Sequence, residues 1–276
     1  MEKKKVSVII PLYNGSKFIE DTINSCVTQT YSDIELILLD DCSTDDGFER
    51  ARKIVDRLNN PEKYKCLKNA ENLGVLKTCN RGAQMATGDC LLFLGHDDIL
   101  PPDYLSAIME EYDDSIAFIF SSPKYIDEKG EVIAEHSTEN VAKYANNHIL
   151  KYSLTKECII QSTGLIINTT CFNEVGGFDI RRKNYGEWNL WIKLLVCGNA
   201  KYSDKVHAFY RRHSTNMTNS FGNRRKRKEL VAYWNECRRL AISKFDLSLI
   251  EKIKSYGYYI YTNLYEIVYM MLKSEG

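Results

Sequence analysis

The feature that most constrains this chain is a short apolar run that ends in two adjacent carboxylates, at residues 90–98. The run is too short for an isolated helix and is typical of a strand buried on both faces of a sheet. Asp97 and Asp98 follow directly, and adjacent carboxylates at the edge of a core repel each other unless a cation or hydrogen-bond donors offset their charge. The stretch therefore predicts either a divalent-cation site that also takes phosphate oxygens or an acidic turn that caps the next segment.

Strand and helix patterns alternate through the first hundred residues. The predicted strands and helices fall, in order, at about 6–10, 17–29, 34–39, 47–58, 64–67, 76–85 and 91–94. This alternation predicts an α/β fold with a mostly parallel sheet flanked by helices. Ligands of such sheets bind beyond the carboxyl ends of the strands. We therefore expect Asn14, Asp41 and the Asp97–Asp98 pair, each of which follows a strand, to meet at one edge.

The second half of the chain is less regular. Its predicted elements are a helix, a strand, a hairpin, a second strand and a strongly apolar helix, at about 103–112, 116–121, 125–133, 165–167 and 186–195. The polar stretch 137–157 is predicted to be a loop with some helix.

Charge and cysteine content narrow the class of protein. The chain has 37 basic and 37 acidic residues, and this balance argues against a general nucleic-acid binder. Nine cysteines without a paired spacing predict free thiols in a reducing compartment. The first ten residues lack the apolar core of a signal peptide, and no run approaches the ~20 apolar residues of a membrane span. These features predict a cytoplasmic protein.

The C-terminal part of the chain has a different character. Five consecutive basic residues, 224–228, precede two predicted helices at about 230–245 and 250–272, the second of which is rich in tyrosine. Basic residues beside an aromatic amphipathic helix are typical of proteins that lie on an anionic membrane. The same pattern fits a helix that packs on its own domain or on a second copy of the chain. Peripheral contact with the inner face of the cell membrane and a homodimer through these helices both stay open.

Several short motifs resemble, in order and spacing, those of the family 2 glycosyltransferases, which are inverting nucleotide-sugar enzymes with a GT-A fold. The motifs lie within residues 5–220, at 6–14, 29–31, 40–45, 72–74, 80–82, 88–89, 97–98, 176–179, 187–191 and 210–213. The resemblance implies a Rossmann-like GT-A domain over residues 1–222, with a nucleotide-binding half (1–100) and an acceptor-side half (101–222). Residues 223–276 would form a C-terminal helical extension.

The resemblance also implies roles for residues on the nucleotide side. Pro11 and Tyr13 would flank the nucleotide base, and Asp41 would hydrogen-bond it. Asp97 would lie beside the ribose, and Lys77 would be a cationic contact to the nucleotide.

A second set of residues would carry the reaction. By the same resemblance, Asp98 would bind a divalent metal, Mn²⁺ or Mg²⁺, on the diphosphate, and His213 would approach that metal. Glu187 would be the catalytic base, and Trp188 would lie on the acceptor side. A carboxylate base and a cation at the leaving diphosphate suit a single in-line displacement with inversion.

The predicted function is metal-dependent transfer of a hexosyl or N-acetylhexosaminyl group from a nucleotide-sugar, a UDP-sugar, to a saccharide or lipid-linked saccharide in surface polysaccharide biosynthesis. Two departures from the family pattern leave alternatives open. Gly95 stands where the family often has a further Asp, and Gly186–Glu187 stands where Glu-Asp is usual. These departures would be the signs of a degenerate nucleotide-binding scaffold, and a nucleotidyltransferase on a similar sheet is the other alternative. The lack of a glycine-rich phosphate loop after the first strand argues against the nucleotidyltransferase.

Overall fold

The computed structural model describes residues 3–135, 141–181, 186–214, 216 and 224–272. Its strands are β1 (Val6–Leu12), β2 (Ile34–Asp40), β3 (Tyr64–Lys68), β4 (Cys90–Phe93), β5 (Ile116–Phe120), β6 (Lys124–Ile126), β7 (Val132–Glu135), β8 (Ile166–Asn168), β9 (Asn199–Tyr202) and β10 (Phe209–Arg211). Its α-helices are α1 (Ile19–Val27), α2 (Gly47–Leu58), α3 (Val75–Met85), α4 (Tyr104–Met109), α5 (Asn147–Leu154), α6 (Thr169–Glu174), α7 (Glu187–Cys197), α8 (Arg224–Lys244) and α9 (Leu249–Leu272).

A seven-stranded sheet has the order β3-β2-β1-β4-β8-β5-β9. The strands β1 to β4 run parallel to one another, and β5 runs parallel to β9, while β8 is antiparallel to both of its neighbours. Every residue of β2 is buried, as expected for a strand covered on both faces. The predicted mostly parallel sheet is confirmed.

Helices cover both faces of this sheet, because alternate side chains of each strand point to opposite sides. Val8 and Ile10 of β1 belong to the apolar cluster that includes residues of α1, α2 and α4, whereas Ile9 belongs to the cluster on the other face, which includes residues of α3, α5, α6, α7 and α8. The buried strands thus join two apolar layers into one three-layer domain.

The carboxyl ends of β1, β2 and β4 meet at one edge, because β1 lies between β2 and β4. Asn14 and Cys42 have φ values of 51° and 64°, so the chain turns sharply after β1 and after β2. The two turns are tied together, since Asn14 N donates to Ser43 Oγ (2.9 Å) and Asn14 Oδ1 accepts from Thr44 N (2.9 Å). The predicted meeting of polar residues at this edge is confirmed.

The main departures from the predicted elements involve short strands that pair over long sequence distances. The hairpin predicted at 125–133 is present as β6 and β7, but β10 joins it by parallel pairing with β6. The strands β9 and β10 were not predicted, since four and three residues are too few for a periodic pattern. The pairing of β10 carries residues 211–213 to the edge where the acidic pair lies.

The C-terminal helices continue the core. Leu230, Tyr233, Cys237 and Ala241 of α8 are buried in the same apolar layer as α7, and α9 packs on α8. The predicted boundary at residue 222 lies outside the described residues and stays a prediction. Within the part of the chain that the structure describes, every helix is too short or too polar to cross a lipid bilayer.

The shared core predicts that α8 unfolds together with the sheet. Phe245, directly after α8, is buried against this layer. We expect Phe245→Ala to lower the free energy of unfolding by about 3 kcal/mol in one cooperative transition, measured by urea denaturation. The exposed Val196 of α7 provides a control, since Val196→Ala should change little. A separate early transition in the variant would contradict the shared core.

Candidate functional site

The carboxylate of Asp98 is buried and fully engaged by protein donors. Its Oδ1 accepts from the backbone N–H of Arg211 (3.1 Å), and its Oδ2 accepts from Thr163 Oγ1 (3.0 Å). Burial, and secondarily the neighbouring charge of Asp97, raise the pKa of Asp98 well above its usual range. The loop after β4 therefore carries a carboxyl group whose ionised form is disfavoured in the folded protein.

Asp97 is more accessible and faces different partners. Its Oδ2 lies 2.8 Å from His213 Nε2 and accepts from Asn216 Nδ2 at 3.3 Å. The His213 ring is itself fixed, because its backbone N–H donates to Asn216 Oδ1 (2.6 Å) and its face packs on Phe18. The structure thus brings Asp97 and His213, which were predicted to lie in one site, into direct contact.

Gly95 allows the two carboxylates to approach its backbone closely. A Cβ atom at this position would lie 2.7 Å from Asp97 Oδ1 and 3.0 Å from Asp98 Oδ2. Both acids therefore turn an oxygen toward the same point, and a larger side chain at Gly95 would displace them. With the present positions of Asp97 and Asp98, a third carboxylate at this position, as in the usual family pattern, would therefore collide with them.

Asp97, Asp98 and His213 offer donor types that fit a divalent cation in their chemistry. Two carboxylate oxygens and one imidazole suit Mn²⁺ or Mg²⁺, which commonly take further ligands from substrate phosphates and water. Among the described residues, no group of three or more His, Cys, Asp or Glu side chains is arranged to hold a metal ion. A metal here would need oxygens from a bound diphosphate to complete its shell.

Arg211 of β10 fixes the loop that carries the acidic pair. Its side chain is only 1% exposed and stacks on the Phe18 ring at 4.7 Å. The guanidinium donates to one carboxylate oxygen and three backbone carbonyl oxygens, those of Asp21 (Oδ2, 3.3 Å), Asp97 (2.9 Å), Asp127 (3.2 Å) and Glu128 (3.0 Å). One buried cation thus joins α1, the acidic loop and the β6–β7 turn.

Asp41, at the end of β2, holds the turn that precedes α3. Its Oδ1 accepts from Leu73 N and Asn69 Nδ2, and its Oδ2 accepts from Gly74 N, each at 2.8 Å. Gly74 has a φ of 84°, which favours glycine at this position. Because both oxygens of the buried carboxylate are engaged, the predicted direct contact with a nucleotide base stays a prediction.

The other residues predicted for the nucleotide lie along the same edge. Pro11 is half-buried in β1 opposite Leu39, and Tyr13 follows it with 46% of its surface exposed. Lys77 is exposed on the first turn of α3, which begins at the turn that Asp41 holds. Their location is compatible with one cleft, and their roles stay predictions.

Glu187 is the first residue of α7 and is accessible to solvent. The surrounding protein nevertheless desolvates it and raises the pKa of its carboxyl, against the effect of a hydrogen bond from Ser162. Ser162 precedes Thr163, which donates to Asp98, so consecutive residues contact Glu187 and the acidic pair. A short segment therefore brings the predicted base close to the predicted metal site.

The residue before Glu187 is glycine for a reason of packing. A Cβ atom on Gly186 would lie 2.7 Å from Leu76 Cδ1, so a carboxylate at this position would collide with α3. The departure from Glu-Asp thus leaves one acid, Glu187, at the start of α7.

Trp188 lies in the core, with 3% of its surface exposed. Its Nε1 donates to the carbonyl oxygen of Leu154 (3.1 Å), and Arg238 packs on its ring. In this position the ring packs between α7 and the core, so its burial favours a packing role. The predicted acceptor-side role stays a prediction.

For three residues of the site, no role was predicted from the sequence. Arg211 lies in a motif that was noted, but its burial could not be read from the motif. Thr163 and Asn216 gave no signal, because each reaches the acidic pair from more than 60 positions away in the chain.

The raised pKa of Asp98 predicts a gain in stability when its charge is removed. Where the pH exceeds the ordinary aspartate pKa of about 4, the unfolded state releases this proton while the folded state retains it, so stability falls as pH rises. We expect Asp98→Asn to have a higher free energy of unfolding than the wild type at neutral pH, with the difference narrowing in acid. Urea titrations at several pH values measure this. The exposed Asp114, at the other end of the sheet, provides the control Asp114→Asn. A less stable Asp98→Asn variant at neutral pH would contradict the penalty.

Comparison with known proteins is consistent with this geometry. Residues 7–174 match the model of the family described as glycosyl transferase family 2. Over 238 residues the chain is 27% identical to WfaP of Escherichia coli, a UDP-Glc:alpha-D-GlcNAc-diphosphoundecaprenol beta-1,3-glucosyltransferase. This match covers 86% of the present chain and 87% of WfaP. The chain spans only 36% of the length of two uncharacterized Rickettsia glycosyltransferases that it matches at 27% identity.

Two solved structures have the same fold. Staphylococcus aureus TarS in complex with UDP-GlcNAc has a TM-score of 0.68 at 21% identity, over 93% of this chain and 71% of that one. A Pyrobaculum calidifontis mannosyltransferase in complex with GDP-Man and Mn²⁺ has a TM-score of 0.66 at 17% identity, over 94% and 70%. These likenesses establish the GT-A fold that the motifs predicted. Because the family model matches more than half of its residues, the chain belongs to glycosyl transferase family 2.

Proposed function

We propose that this chain is an inverting glycosyltransferase that moves a hexosyl or N-acetylhexosaminyl group from a UDP-sugar to a lipid-linked saccharide. The observation that carries the proposal is the pair Asp97–Asp98, whose oxygens Oδ1 and Oδ2 both lie beside Gly95 while His213 contacts Asp97. WfaP, by its name, uses UDP-Glc and an acceptor on diphosphoundecaprenol, which supports this donor and acceptor class. The reaction would take place at the cytoplasmic face of the membrane, in the assembly of surface polysaccharide.

Asp97 and His213 would hold the divalent cation. Both Asp98 oxygens already accept hydrogen bonds from Arg211 and Thr163, whereas the described hydrogen bonds of the Asp97 carboxylate involve Oδ2 alone. This supports exchanging the two predicted roles, with Asp97 as the metal ligand and Asp98 as the group that fixes the loop. When bound, Mn²⁺ or Mg²⁺ would stabilise the negative charge that develops on the leaving diphosphate.

The nucleotide would lie along the edge formed by β1, β2 and the start of α3. Pro11 and Tyr13 would contact the base on one side. Asp41 would act through the turn at 73–74 that it holds, since that turn lies at the start of α3, where Lys77 could meet a phosphate. This assignment keeps the predicted residues and gives Asp41 a positioning role.

Glu187 would remove the proton of the acceptor hydroxyl as it attacks the anomeric carbon. Its solvent access allows contact with an acceptor, and its raised pKa makes it a stronger proton acceptor than an ordinary glutamate. In-line attack from the side opposite the diphosphate inverts the anomeric centre, and no covalent intermediate is required.

A donor site of this kind predicts nucleotide-dependent stabilisation. A ligand at a hundred times its Kd adds about 2.7 kcal/mol to stability, which raises the Tm by several degrees. We expect UDP and one UDP-sugar to raise the Tm in the presence of Mn²⁺. Asp97→Asn should remove the part of this shift that depends on Mn²⁺, and Asp114→Asn should retain it.

The alternatives give different results in the same assay. A degenerate scaffold would bind nucleotide without turning over the donor, and a Mn²⁺-dependent shift lost only in Asp98→Asn would return the metal to Asp98. Absence of any shift with UDP-, GDP- or other nucleotide-sugars in the folded protein would contradict a donor site.

Loss of the base should reduce turnover without weakening donor binding. We expect Glu187→Gln to lower kcat at least about a hundredfold, with the UDP-dependent Tm shift unchanged. Glu49→Gln, which alters another acid in the first turn of a helix, provides the matched control. In the wild type, kcat should rise with pH through the raised pKa of Glu187, because only the ionised carboxylate accepts a proton. Wild-type turnover in Glu187→Gln would disprove the assignment.

A further inference from the structure

The side of α9 that faces the protein is polar. The described contacts of this side are hydrogen bonds and ion pairs, namely Glu251–His148 (2.8 Å), Ser255–Thr155 (2.7 Å), Tyr258–Glu157, Asn263–Asn235 (2.6 Å) and Glu266–Arg227 (2.7 Å). An ordinary amphipathic helix of a water-soluble domain buries its apolar face and leaves its polar face in water. The helix α9 has the opposite orientation.

The outward side of α9 is correspondingly apolar. Eight large apolar or aromatic residues on it are 48–73% exposed, and they are Leu249, Ile250, Ile253, Tyr256, Ile260, Tyr261, Leu264 and Tyr265. Their spacing of three and four residues forms one continuous stripe along the helix. A contiguous apolar surface of this kind marks an interaction site.

The charges beside the stripe have one sign. Lys252 and Lys254 border it, and Lys254 is exposed. Both described acidic side chains of α9, Glu251 and Glu266, point inward to His148 and Arg227. Since Arg227 belongs to the first turn of α8, the exposed Lys226 and Lys228 of that turn lie close to the C-terminal part of α9.

We propose that this face of α9 lies on an anionic phospholipid bilayer. The aliphatic side chains of Ile253, Ile260 and Leu264 lie in the middle of the stripe at 100° per residue, and they would enter the acyl boundary. Tyr256 and Tyr265 lie toward its opposite margins, where their hydroxyl groups would meet headgroups and water. Lysines beside such a face attract anionic lipid.

Charge favours lipid over a second copy of the chain. If two copies met through α9, each would bring lysines and no described outward acid, so the lysines would lack partners across the interface. An anionic bilayer supplies the missing negative charge. The helix would lie in the plane of the surface, since its polar side is already bound to α5, α8 and the segment after α5.

The orientation has a consequence for the site. Thr155 and Glu157, which α9 contacts, precede the segment that carries Ser162 and Thr163 at Glu187 and Asp98. Docking through α9 would therefore bring the acceptor side of the domain near the membrane. The inference rests on the surface of α9, and it stands whether or not the proposed donor and acceptor are correct.

Vesicle co-sedimentation of the full 276-residue chain, without nucleotide, tests the proposal. We expect binding to phosphatidylcholine vesicles that contain phosphatidylglycerol, and little binding to phosphatidylcholine alone. Ile253→Gln with Ile260→Gln should lower the partition coefficient about tenfold or more. Ile133→Gln with Val196→Gln removes two apolar residues that are also more than half exposed but lie elsewhere on the surface, and this control should bind like the wild type.

Two further variants test whether charge contributes to lipid binding and whether lipid binding is independent of the donor site. Lys252→Gln with Lys254→Gln should weaken binding to anionic vesicles and reduce its dependence on salt. Asp97→Asn, which tests the donor site, should bind vesicles like the wild type. Circular dichroism and urea unfolding verify that each variant is folded.

Three results would overturn the proposal. They are absence of binding to anionic vesicles by the folded wild type, unchanged binding in the Ile253→Gln/Ile260→Gln variant, and a dimer in sedimentation equilibrium that this variant converts to a monomer while lipid binding is absent. The last result would assign the face to self-association.

Discussion

The arrangement of the site depends on the cost of placing two adjacent carboxylates, one buried and one half-buried, at the end of β4. The protein meets this cost with donors from distant parts of the chain, namely Arg211 N and Thr163 Oγ1 at Asp98 and His213 with Asn216 at Asp97. A residual penalty remains, since the pKa of Asp98 stays raised. This incomplete neutralisation is what a cation with its phosphate ligands would relieve.

Arg211 connects the small sheet of β6, β7 and β10 to the edge of the seven-stranded sheet. The strand β10 pairs with β6 and ends at the residue whose guanidinium binds the acidic loop, α1 and the β6–β7 turn. A buried, multiply bonded arginine fixes these segments relative to one another, because leaving its donors unpaired would be costly. The geometry of the acidic pair is therefore set partly by residues more than a hundred positions away.

The sequence predicted the parts of this protein that depend on local pattern. The buried runs of β1, β2 and β4 and the helix over 47–58 follow from apolar periodicity, and the meeting of Asn14, Asp41 and the acidic pair follows from parallel topology. The partners of Asp98 and the pairing of β10 could not be predicted, because three-residue strands and single side chains from distant segments carry no periodic signal. The burial of Trp188 and the inward polar side of α9 likewise depend on which neighbour each helix meets.

The long-range pairing around Asp98 also bears on how the chain folds. Arg211 N and Asp98 are separated by 113 positions, and Thr163 and Asp98 by 65. Closing such loops costs chain entropy before any contact offsets it, so we expect these hydrogen bonds to form late relative to the β1–β4 unit. A chain emerging during synthesis would thus complete its sheet edge first, and the acidic pair would acquire its fixed geometry only when residue 211 becomes available. The proposed cation site would in this way form only in the nearly complete molecule.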